Sequence, residues 1–280
     1  MSIITLESLT KRFGAVIAID NLSLAIDAGA ICGILGPNGA GKSTTIRILA
    51  TLTRPTAGKA LIRGYDVMRE PVKAKNMIGV VHQTLNIDPE LTPREHLQVH
   101  GMLFGMKRKD MRGRINGLLA FVGLDERKDS PAGKLSGGMK RRLTIARALV
   151  HEPKVIIMDE PTVGLDAHAR RKLWTLMREL KAKGHTILLT THYIDEAQAL
   201  ADRIVIIDRG CLIADGTPHD LIGTVGTFAV DVHQEGKSTT TFHDTREAAA
   251  AQLASRQCSG TVRKADLEDV FVKLTGRKVG

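Results

Sequence analysis

The chain is organised around a nine-residue stretch, Gly36-Pro37-Asn38-Gly39-Ala40-Gly41-Lys42-Ser43-Thr44. It fits the pattern G-x-x-x-x-G-K-[ST], in which glycines let backbone N–H groups surround a phosphate, the lysine reaches the outer phosphates and the hydroxyl binds Mg²⁺. The apolar run Ala30 to Leu35 precedes it and predicts a strand, and Ser43 to Leu52 predicts a helix. Because a glycine loop between a strand and a helix N-terminus forms an anion site, we expect an α/β fold with a phosphate-binding loop.

Apolar runs rich in β-branched residues predict further strands, and those after residue 150 alternate with helical patterns. Such alternation argues for a parallel sheet covered by helices on both faces. In the helix between two of these runs, Leu173, Leu176, Met177 and Leu180 recur at helical spacing and predict a core-facing stripe. The predicted strands are Ile3 to Leu9, Leu22 to Ile26, Met77 to Val81, Val155 to Met158, His185 to Thr190 and Arg203 to Asp208.

Two segments depart from this alternation. Thr92-Pro93-Arg94-Glu95 has the form of a capping box and predicts a helix to about Met106, so we place a helical subdomain at about residues 88–140 of a first domain, 1–218. After Thr217-Pro218 the composition changes. Residues 219–280 predict a small α+β appendage, with a hairpin around Glu235-Gly236-Lys237 and two helices.

Two carboxylates follow a later strand. Val155 to Met158 is strongly apolar and leads directly to Asp159 and Glu160. Such a strand places the first carboxylate beside the Mg²⁺ of the phosphate loop, so Asp159 is the predicted metal-side acid. Glu160 is then the candidate general base for an attacking water molecule.

A third motif, Leu135-Ser136-Gly137-Gly138-Met139, precedes the basic run Lys140-Arg141-Arg142. A Ser-Gly-Gly turn at a helix start presents free N–H groups and a hydroxyl, which is anion-binding geometry. With the phosphate loop and the acidic strand end, in this order, the chain resembles the nucleotide-binding subunit of ATP-binding cassette (ABC) transporters. The family signature is similar to LSGGQ, and Met139 stands where glutamine is usual.

The resemblance implies roles for four more residues. Gln83 resembles the glutamine that senses Mg²⁺ and couples to the membrane subunit, and Asp166 resembles the aspartate that communicates between two sites. His192 resembles the switch histidine that contacts the γ-phosphate, and Phe13 the aromatic residue that stacks on adenine. With the motifs above, catalysis is assigned to Glu160, His192, Gln83 and Asp166, and Mg²⁺ binding to Ser43, Gln83 and Asp159. ATP binding is assigned to Phe13, Gly36, Pro37, Asn38, Gly39, Ala40, Gly41, Lys42, Ser43, Thr44, Ser136, Gly137 and Gly138.

The end of the chain narrows the resemblance. Leu267-Glu268-Asp269-Val270-Phe271 with Leu274-Thr275-Gly276-Arg277 is similar to the ending of ATPase subunits from drug exporters of the daunorubicin-resistance type. The resemblance implies an ATPase with ATP and Mg²⁺ as cofactors, acting as a dimer of two copies. It also implies a separate transmembrane permease subunit and export of a drug-like or lipid-like cargo.

The composition limits the cellular location of the chain and the alternative functions. No apolar run approaches the roughly 18 residues of a membrane span and the first ten residues lack a signal-peptide pattern, so we expect the chain to stay in the cytoplasm. The resemblance implies that a membrane subunit holds it at the cytoplasmic face of the cell membrane. The net charge of +10 favours one alternative, a soluble cassette ATPase acting on nucleic acid or ribosomes. Only 3% of residues are aromatic, which argues against single-strand binding by stacking, so no nucleic-acid partner is expected. A P-loop kinase or GTPase is a further alternative, but the Ser-Gly-Gly turn has no role in such enzymes.

Overall fold

The structure is a computed structural model that describes residues 2–234, 237–255 and 259–276. Its strands are β1 (Ser2–Phe13), β2 (Val16–Asp27), β3 (Ile31–Leu35), β4 (Ala57–Ile62), β5 (Tyr65–Asp66), β6 (Ile78–Val81), β7 (Val155–Asp159), β8 (Thr186–Thr191), β9 (Arg203–Asp208), β10 (Cys211–Gly216), β11 (Phe228–Gln234), β12 (Lys237–His243) and β13 (Ser259–Lys264). Its α-helices are α1 (Lys42–Leu49), α2 (Pro71–Met77), α3 (Pro93–Leu103), α4 (Arg108–Phe121), α5 (Gly137–Leu149), α6 (Ala167–Ala182), α7 (Ile194–Leu200), α8 (Pro218–Gly223), α9 (Arg246–Ser255) and α10 (Leu267–Thr275).

The central sheet has the strand order β10-β9-β3-β8-β7-β6. Neighbours from β9 to β6 run parallel, and β10 is an antiparallel edge strand. Every residue of β3, β7 and β8 is buried, as a parallel sheet covered on both faces requires. The predicted parallel sheet is therefore confirmed. Since Leu35 pairs with Thr191 and Asp159 with Thr190, the ends of β3, β8 and β7 meet at one edge.

A second, antiparallel sheet has the order β2-β1-β4-β5. Its apolar side chains join those of one face of the central sheet in a single core cluster, which includes Ile4, Leu24, Ile34 and Val205. The helix α1 packs into the same cluster through Ile46 and Ile48. The antiparallel sheet therefore buries one face of the central sheet and the base of α1.

The other face of the central sheet is covered by α5, α6 and α7, and α3 and α4 of the predicted helical subdomain pack against α5. The capping box of α3 is present: the Thr92 hydroxyl accepts from Glu95 N, and the Glu95 carboxylate accepts from Thr92 N. The stripe of α6 is confirmed, since Leu173, Leu176 and Met177 are buried with Leu180.

The last part of the chain forms a three-stranded sheet, β12-β11-β13, covered by α9. The predicted hairpin is confirmed by the pairing of β11 with β12, while Glu235 and Gly236 of its turn lie outside the described residues, as does Arg277. The final helix α10 packs against α8 and α7, and its Phe271 belongs to the main core cluster together with Ala197 and Leu200 of α7.

Several boundaries differ from the sequence prediction. The helix α3 ends at Leu103 rather than near Met106, because Gly105 turns the chain with a φ of 71°. Met77 ends the unpredicted helix α2 instead of starting a strand. The strands β4, β5 and β10 were also not predicted. β4 and β10 contain glycine and are partly exposed, so their sequences lack the clear alternation of apolar and polar residues that predicts a strand.

Candidate functional site

The phosphate loop lies between β3 and α1, and close backbone contacts require two of its glycines. A Cβ atom on Gly36 would lie 2.2 Å from the Ile207 carbonyl oxygen, and one on Gly41 would lie 2.5 Å from the Ala18 carbonyl oxygen. Gly41 also has a φ of 106°, which L side chains rarely adopt. The chain therefore turns sharply into α1, whose first turn offers free N–H groups and the positive end of the helix dipole.

Lys42 begins α1 and is buried inside the loop. Its Nζ donates to the carbonyl oxygens of Gly36 at 2.7 Å and Pro37 at 3.1 Å, and lies 3.5 Å from Glu160 Oε1. Burial lowers the pKa of this ammonium group, and the nearby Glu160 carboxylate opposes that shift. A buried ammonium that faces two carbonyls and one carboxylate can bind an anionic phosphate by exchanging one of these partners for a phosphate oxygen.

Ser43 and Asp159 meet at the sheet edge. Ser43 Oγ donates to Asp159 Oδ1 at 3.1 Å, and Thr190 Oγ1 donates to the same oxygen at 2.6 Å. Gln83 contributes an amide to the cavity beside them. Hydroxyl, carboxylate and amide oxygens suit Mg²⁺, which takes few protein ligands and completes its shell with phosphate and water. The described ranges hold no group of three or more His, Cys, Asp or Glu that could enclose a metal alone.

Glu160 is contacted by the remaining site residues. Its Oε2 accepts from Gln83 Nε2 at 3.4 Å and lies 3.2 Å from His192 Nδ1, although that pair lacks hydrogen-bond geometry. Its backbone has a φ of 45° and its N–H donates to the Thr190 carbonyl at 3.1 Å. A carboxylate placed among an ammonium, an amide and an imidazole at a cavity edge can accept a proton from water.

An open cavity of about 320 Å³ connects Lys42, Gln83 and Glu160 to Phe13. Phe13 ends β1 with a half-exposed ring, and Lys11 Nζ lies 4.6 Å from the ring centroid. The free ring surface can stack on a nucleobase. The residues lining the cavity are Phe13, Ala18, Asn38, Gly39, Ala40, Gly41, Lys42, Ser43, Thr44, Gln83 and Glu160.

The Ser136-Gly137-Gly138 turn lies at the start of α5 and lines a different cavity, of about 250 Å³. Ser136 caps α5 by accepting from Met139 N at 3.3 Å. Asp166 lines the same cavity and caps α6 by accepting from Ala169 N at 2.8 Å. The two cavities share no lining residue within the described part of the chain. One copy of the chain thus presents the predicted site residues in two separate groups.

Comparison with known proteins agrees with this geometry. Residues 19–163, which hold the phosphate loop, Gln83, the Ser-Gly-Gly turn and Glu160, match the family described as ABC transporter. The chain belongs to the ABC transporter family. Within this family it is an ATP-binding subunit, an ATPase coupled to transport.

Relatives cover nearly the whole chain. A Nod factor export ATP-binding protein I of Ralstonia nicotianae is 40% identical over 304 residues, which span 99% of this chain and 95% of that protein. A protein of the same name from Cupriavidus metallidurans is 40% identical over 300 residues, spanning 99% of each chain. The similarity to these ABC subunits therefore includes the C-terminal region beyond the family match.

Solved structures confirm the ABC ATPase fold, an α/β fold of the P-loop NTPase class. An ATP-binding subunit of an ABC transporter superposes with a TM-score of 0.75 at 29% identity, covering 98% of this chain and all of that one. An ATP-binding cassette solved as a dimer in a post-hydrolysis state with ADP and Pi gives a TM-score of 0.69 at 30% identity, covering 76% of this chain and 98% of that one.

The sequence prediction missed three residues that shape the site. The Thr190 hydroxyl donates to the Asp159 carboxylate and accepts from the Glu160 backbone N–H. The only sequence feature that pointed to Thr190 was its position at the end of a predicted strand. Ala18 lines the cavity from the first part of β2, ahead of the predicted strand Leu22 to Ile26. Arg141 donates to the carbonyls of His82 and Gln83, and the sequence analysis gave it no role beyond its place in the basic run after the Ser-Gly-Gly turn.

Proposed function

We propose that this ABC subunit binds ATP with its phosphates in the Gly36 to Thr44 loop and hydrolyses it with Glu160 as general base. The observation that carries the proposal is the convergence of Lys42, Gln83 and His192 on the Glu160 carboxylate. In this mechanism Glu160 takes a proton from the attacking water, and His192 contacts the γ-phosphate. General-base assistance of this kind contributes about 10²–10⁴-fold to a rate.

The remaining assignments concern binding. Ser43, Gln83 and Asp159 would hold Mg²⁺, whose charge, when bound, offsets that of the β- and γ-phosphates. The backbone N–H groups of the loop and the Lys42 ammonium bind the phosphate oxygens, and Phe13 stacks on the adenine ring.

Replacing the proposed base tests the mechanism. Glu160→Gln keeps the shape of the side chain but removes its basicity, so ATP hydrolysis falls at least about 100-fold while ATP binding persists. Glu179→Gln, on the exposed face of α6, is the matched control and retains activity. Single-turnover hydrolysis and equilibrium ATP binding separate the two effects. Hydrolysis at the parental rate in Glu160→Gln would show that another group is the base.

We further propose that two copies of the chain enclose each ATP. The support is the separation of the phosphate-loop cavity from the Ser136-Gly137-Gly138 cavity within one copy. In a dimer, the turn of one copy would face the phosphate loop of the other, and Asp166 would lie between the two sites. Hydrolysis would then depend on closure of the dimer, which is the movement available to drive transport.

Mixing two inactive variants tests this arrangement. Lys42→Ala removes the phosphate-binding cation, and Gly137→Glu places a carboxylate in the second cavity, where an added Cβ meets no atom within 4 Å. A mixed dimer contains one intact composite site, so we expect the mixture to hydrolyse ATP although neither variant does so alone. An inactive mixture, with dimers shown by cross-linking, would favour a site built within one copy.

We propose that a separate transmembrane permease docks near Gln83 and the helical subdomain. No described helix is long and apolar enough to cross a bilayer. Val99, Met102 and Leu103 share one face of α3 and are exposed, which suits contact with an apolar partner helix. The chain would thereby be held at the cytoplasmic face of the cell membrane. Leu103→Ser should reduce recovery of the chain with membranes containing its permease, whereas exposed Leu52→Ser serves as the control.

The last part of the proposal concerns the direction of transport and the class of cargo. We propose export of a drug-like or lipid-like cargo, because the relatives are named for Nod factor export and the C-terminal ending resembles drug exporters of the daunorubicin-resistance type. The net charge of +10 also suits a nucleic-acid partner. Transport by the chain and its permease in vesicles, with a panel of cargoes, tests export. ATPase activity stimulated by RNA or DNA and lost at high salt would instead support the alternative.

A further inference from the structure

Arg141 lies four residues beyond the start of α5 and is 3% exposed. Its Nη1 donates to the His82 carbonyl at 2.6 Å and its Nη2 donates to the Gln83 carbonyl at 2.8 Å. The two nitrogens of one planar fork thus hold two consecutive carbonyls of the segment after β6. Such charge-assisted bonds are about twice as strong as neutral ones, and the rigid fork fixes orientation as well as distance.

This guanidinium is an unusual group to bury. No carboxylate within the described ranges pairs with it, its Nε has no hydrogen-bond partner there, and burial lowers its pKa. A buried cation without a counter-charge destabilises a fold compared with an apolar side chain of similar volume. Its contribution is therefore to geometry rather than to stability, and the geometry that it sets is the peptide carrying Gln83.

A second arginine of α5 supports the same segment. Arg147 Nη1 donates to the Asn86 carbonyl at 2.8 Å. The helix that begins with the Ser136-Gly137-Gly138 turn therefore holds the chain between residues 82 and 86 at two points, with Gln83 in the cavity wall between Arg141 and the phosphate loop. Because a helix moves as a rigid element, a displacement of the turn displaces the Gln83 backbone.

We propose that Arg141 is a positioning residue for Gln83, which makes the Mg²⁺ side of one ATP site depend on the position of α5. This inference rests on the proposed role of Gln83 in the ATP site. It predicts that loss of the Arg141 fork weakens the effect of Mg²⁺ on ATP binding without weakening binding of the nucleotide itself.

The test measures equilibrium binding of a non-hydrolysable ATP analogue to the full chain, with Mg²⁺ and with EDTA. We expect Arg141→Met to reduce the gain in affinity due to Mg²⁺ about fivefold to tenfold, with binding in EDTA unchanged, and to lower ATPase activity. Arg141→Lys, which keeps the charge but loses the fork, should be intermediate. Arg114→Met is the matched control, because Arg114 donates to the Leu149 carbonyl at the other end of α5.

A double-mutant comparison separates positioning from general destabilisation. If Arg141 acts through Gln83, Gln83→Ala with Arg141→Met shows the same Mg²⁺ effect as Gln83→Ala alone. Additive effects, or an Arg141→Met variant that behaves like Arg114→Met, would overturn the inference. An unchanged Mg²⁺ effect in Gln83→Ala would instead contradict the proposed site. If Arg141→Met does not fold, Arg141→Lys carries the same comparison.

Discussion

At the scale of single residues, the site holds groups in conformations that the rest of the fold must maintain. Glu160 is a non-glycine residue with a φ of 45°, a conformation that costs about 1–3 kcal/mol. The two hydrogen bonds from its backbone N–H to Thr190 and the buried strand β7 before it hold this conformation. This backbone conformation directs the carboxylate toward Lys42 and His192, and the proposed role of Glu160 as general base requires that position.

Gly36 is a residue at which the fold allows no side chain. Gly36→Ala would bring a Cβ to 2.2 Å from the Ile207 carbonyl oxygen, so β3 and β9 must separate and the free energy of unfolding should fall by about 1–3 kcal/mol. Gly113→Ala is the control: it lies within α4 with no atom within 4 Å of the new Cβ and should raise stability by about 0.5–1 kcal/mol. Urea unfolding of both variants checks the contrast, and a neutral Gly36→Ala would refute it.

Glu196 is buried in α7, and its Oε1 accepts from Nε1 of Trp174, the sole tryptophan of the chain. Burial raises the pKa of its carboxyl, while the hydroxyls of Thr191 and Thr162 oppose that shift. The folded state therefore binds this proton more tightly than the unfolded chain, and stability falls as pH rises above the ordinary value of 4.5 until the raised pKa is passed.

Glu196→Gln should consequently gain stability over the parent as pH rises from about 4.5, because the amide stays neutral. Urea unfolding between pH 4.5 and 8, followed by Trp174 fluorescence, measures that difference. Glu179→Gln on the exposed face of α6 is the matched control for the loss of one glutamate. A Glu196→Gln effect of equal size across the range would contradict the assignment of a raised pKa.

At the scale of elements, the beginning of α3 shows how local sequence fixes a helix. Thr92→Ala removes the acceptor for Glu95 N and leaves the Glu95 carboxylate without the Thr92 hydroxyl, so stability should fall by about 1 kcal/mol. Thr175→Ala within α6 is the matched control, since its hydroxyl bonds only to the Arg171 carbonyl of its own helix. Hydrogen exchange at the first turn of α3 should accelerate in Thr92→Ala alone, and protection equal to the parent would contradict the capping role.

At the scale of the whole molecule, the proposed accessory unit of residues 219–280 is anchored by α10 in the main core. Phe271 is fully buried in the cluster that contains Leu200 of α7, the helix that follows His192. Arg263 joins the small sheet to α10 through Asp231 and Asp269, at 2.7 and 2.6 Å. The accessory unit and the helix after His192 therefore share one packed core.

This shared core predicts a single cooperative unfolding transition. Phe271→Ala should lower the free energy of unfolding by about 3–5 kcal/mol and shift the whole calorimetric transition, since the cavity forms in the main core. Leu274→Ala on the same helix is the control, because that side chain is 45% exposed and its loss should cost well under half as much. A separate low-temperature transition in Phe271→Ala, with the main one unmoved, would show that the appendage folds independently.

The sequence by itself determined the elements whose signals are local. The phosphate loop, the capping box of α3, the stripe of α6 and the two carboxylates at the end of β7 depend on spacing within a few residues, and the structure places all of them as expected. The tertiary structure decided the features that depend on contacts between distant segments. These are the antiparallel sheet of β1, β2, β4 and β5, the hydrogen bond from Thr190 to Asp159 and the hydrogen bond from Arg141 to the Gln83 carbonyl. The two hydrogen bonds join residues that are 31 and 58 positions apart in the chain, and the sheet joins whole strands. These contacts are stabilised by packing and by buried hydrogen bonds, which no pattern within a few residues of sequence predicts.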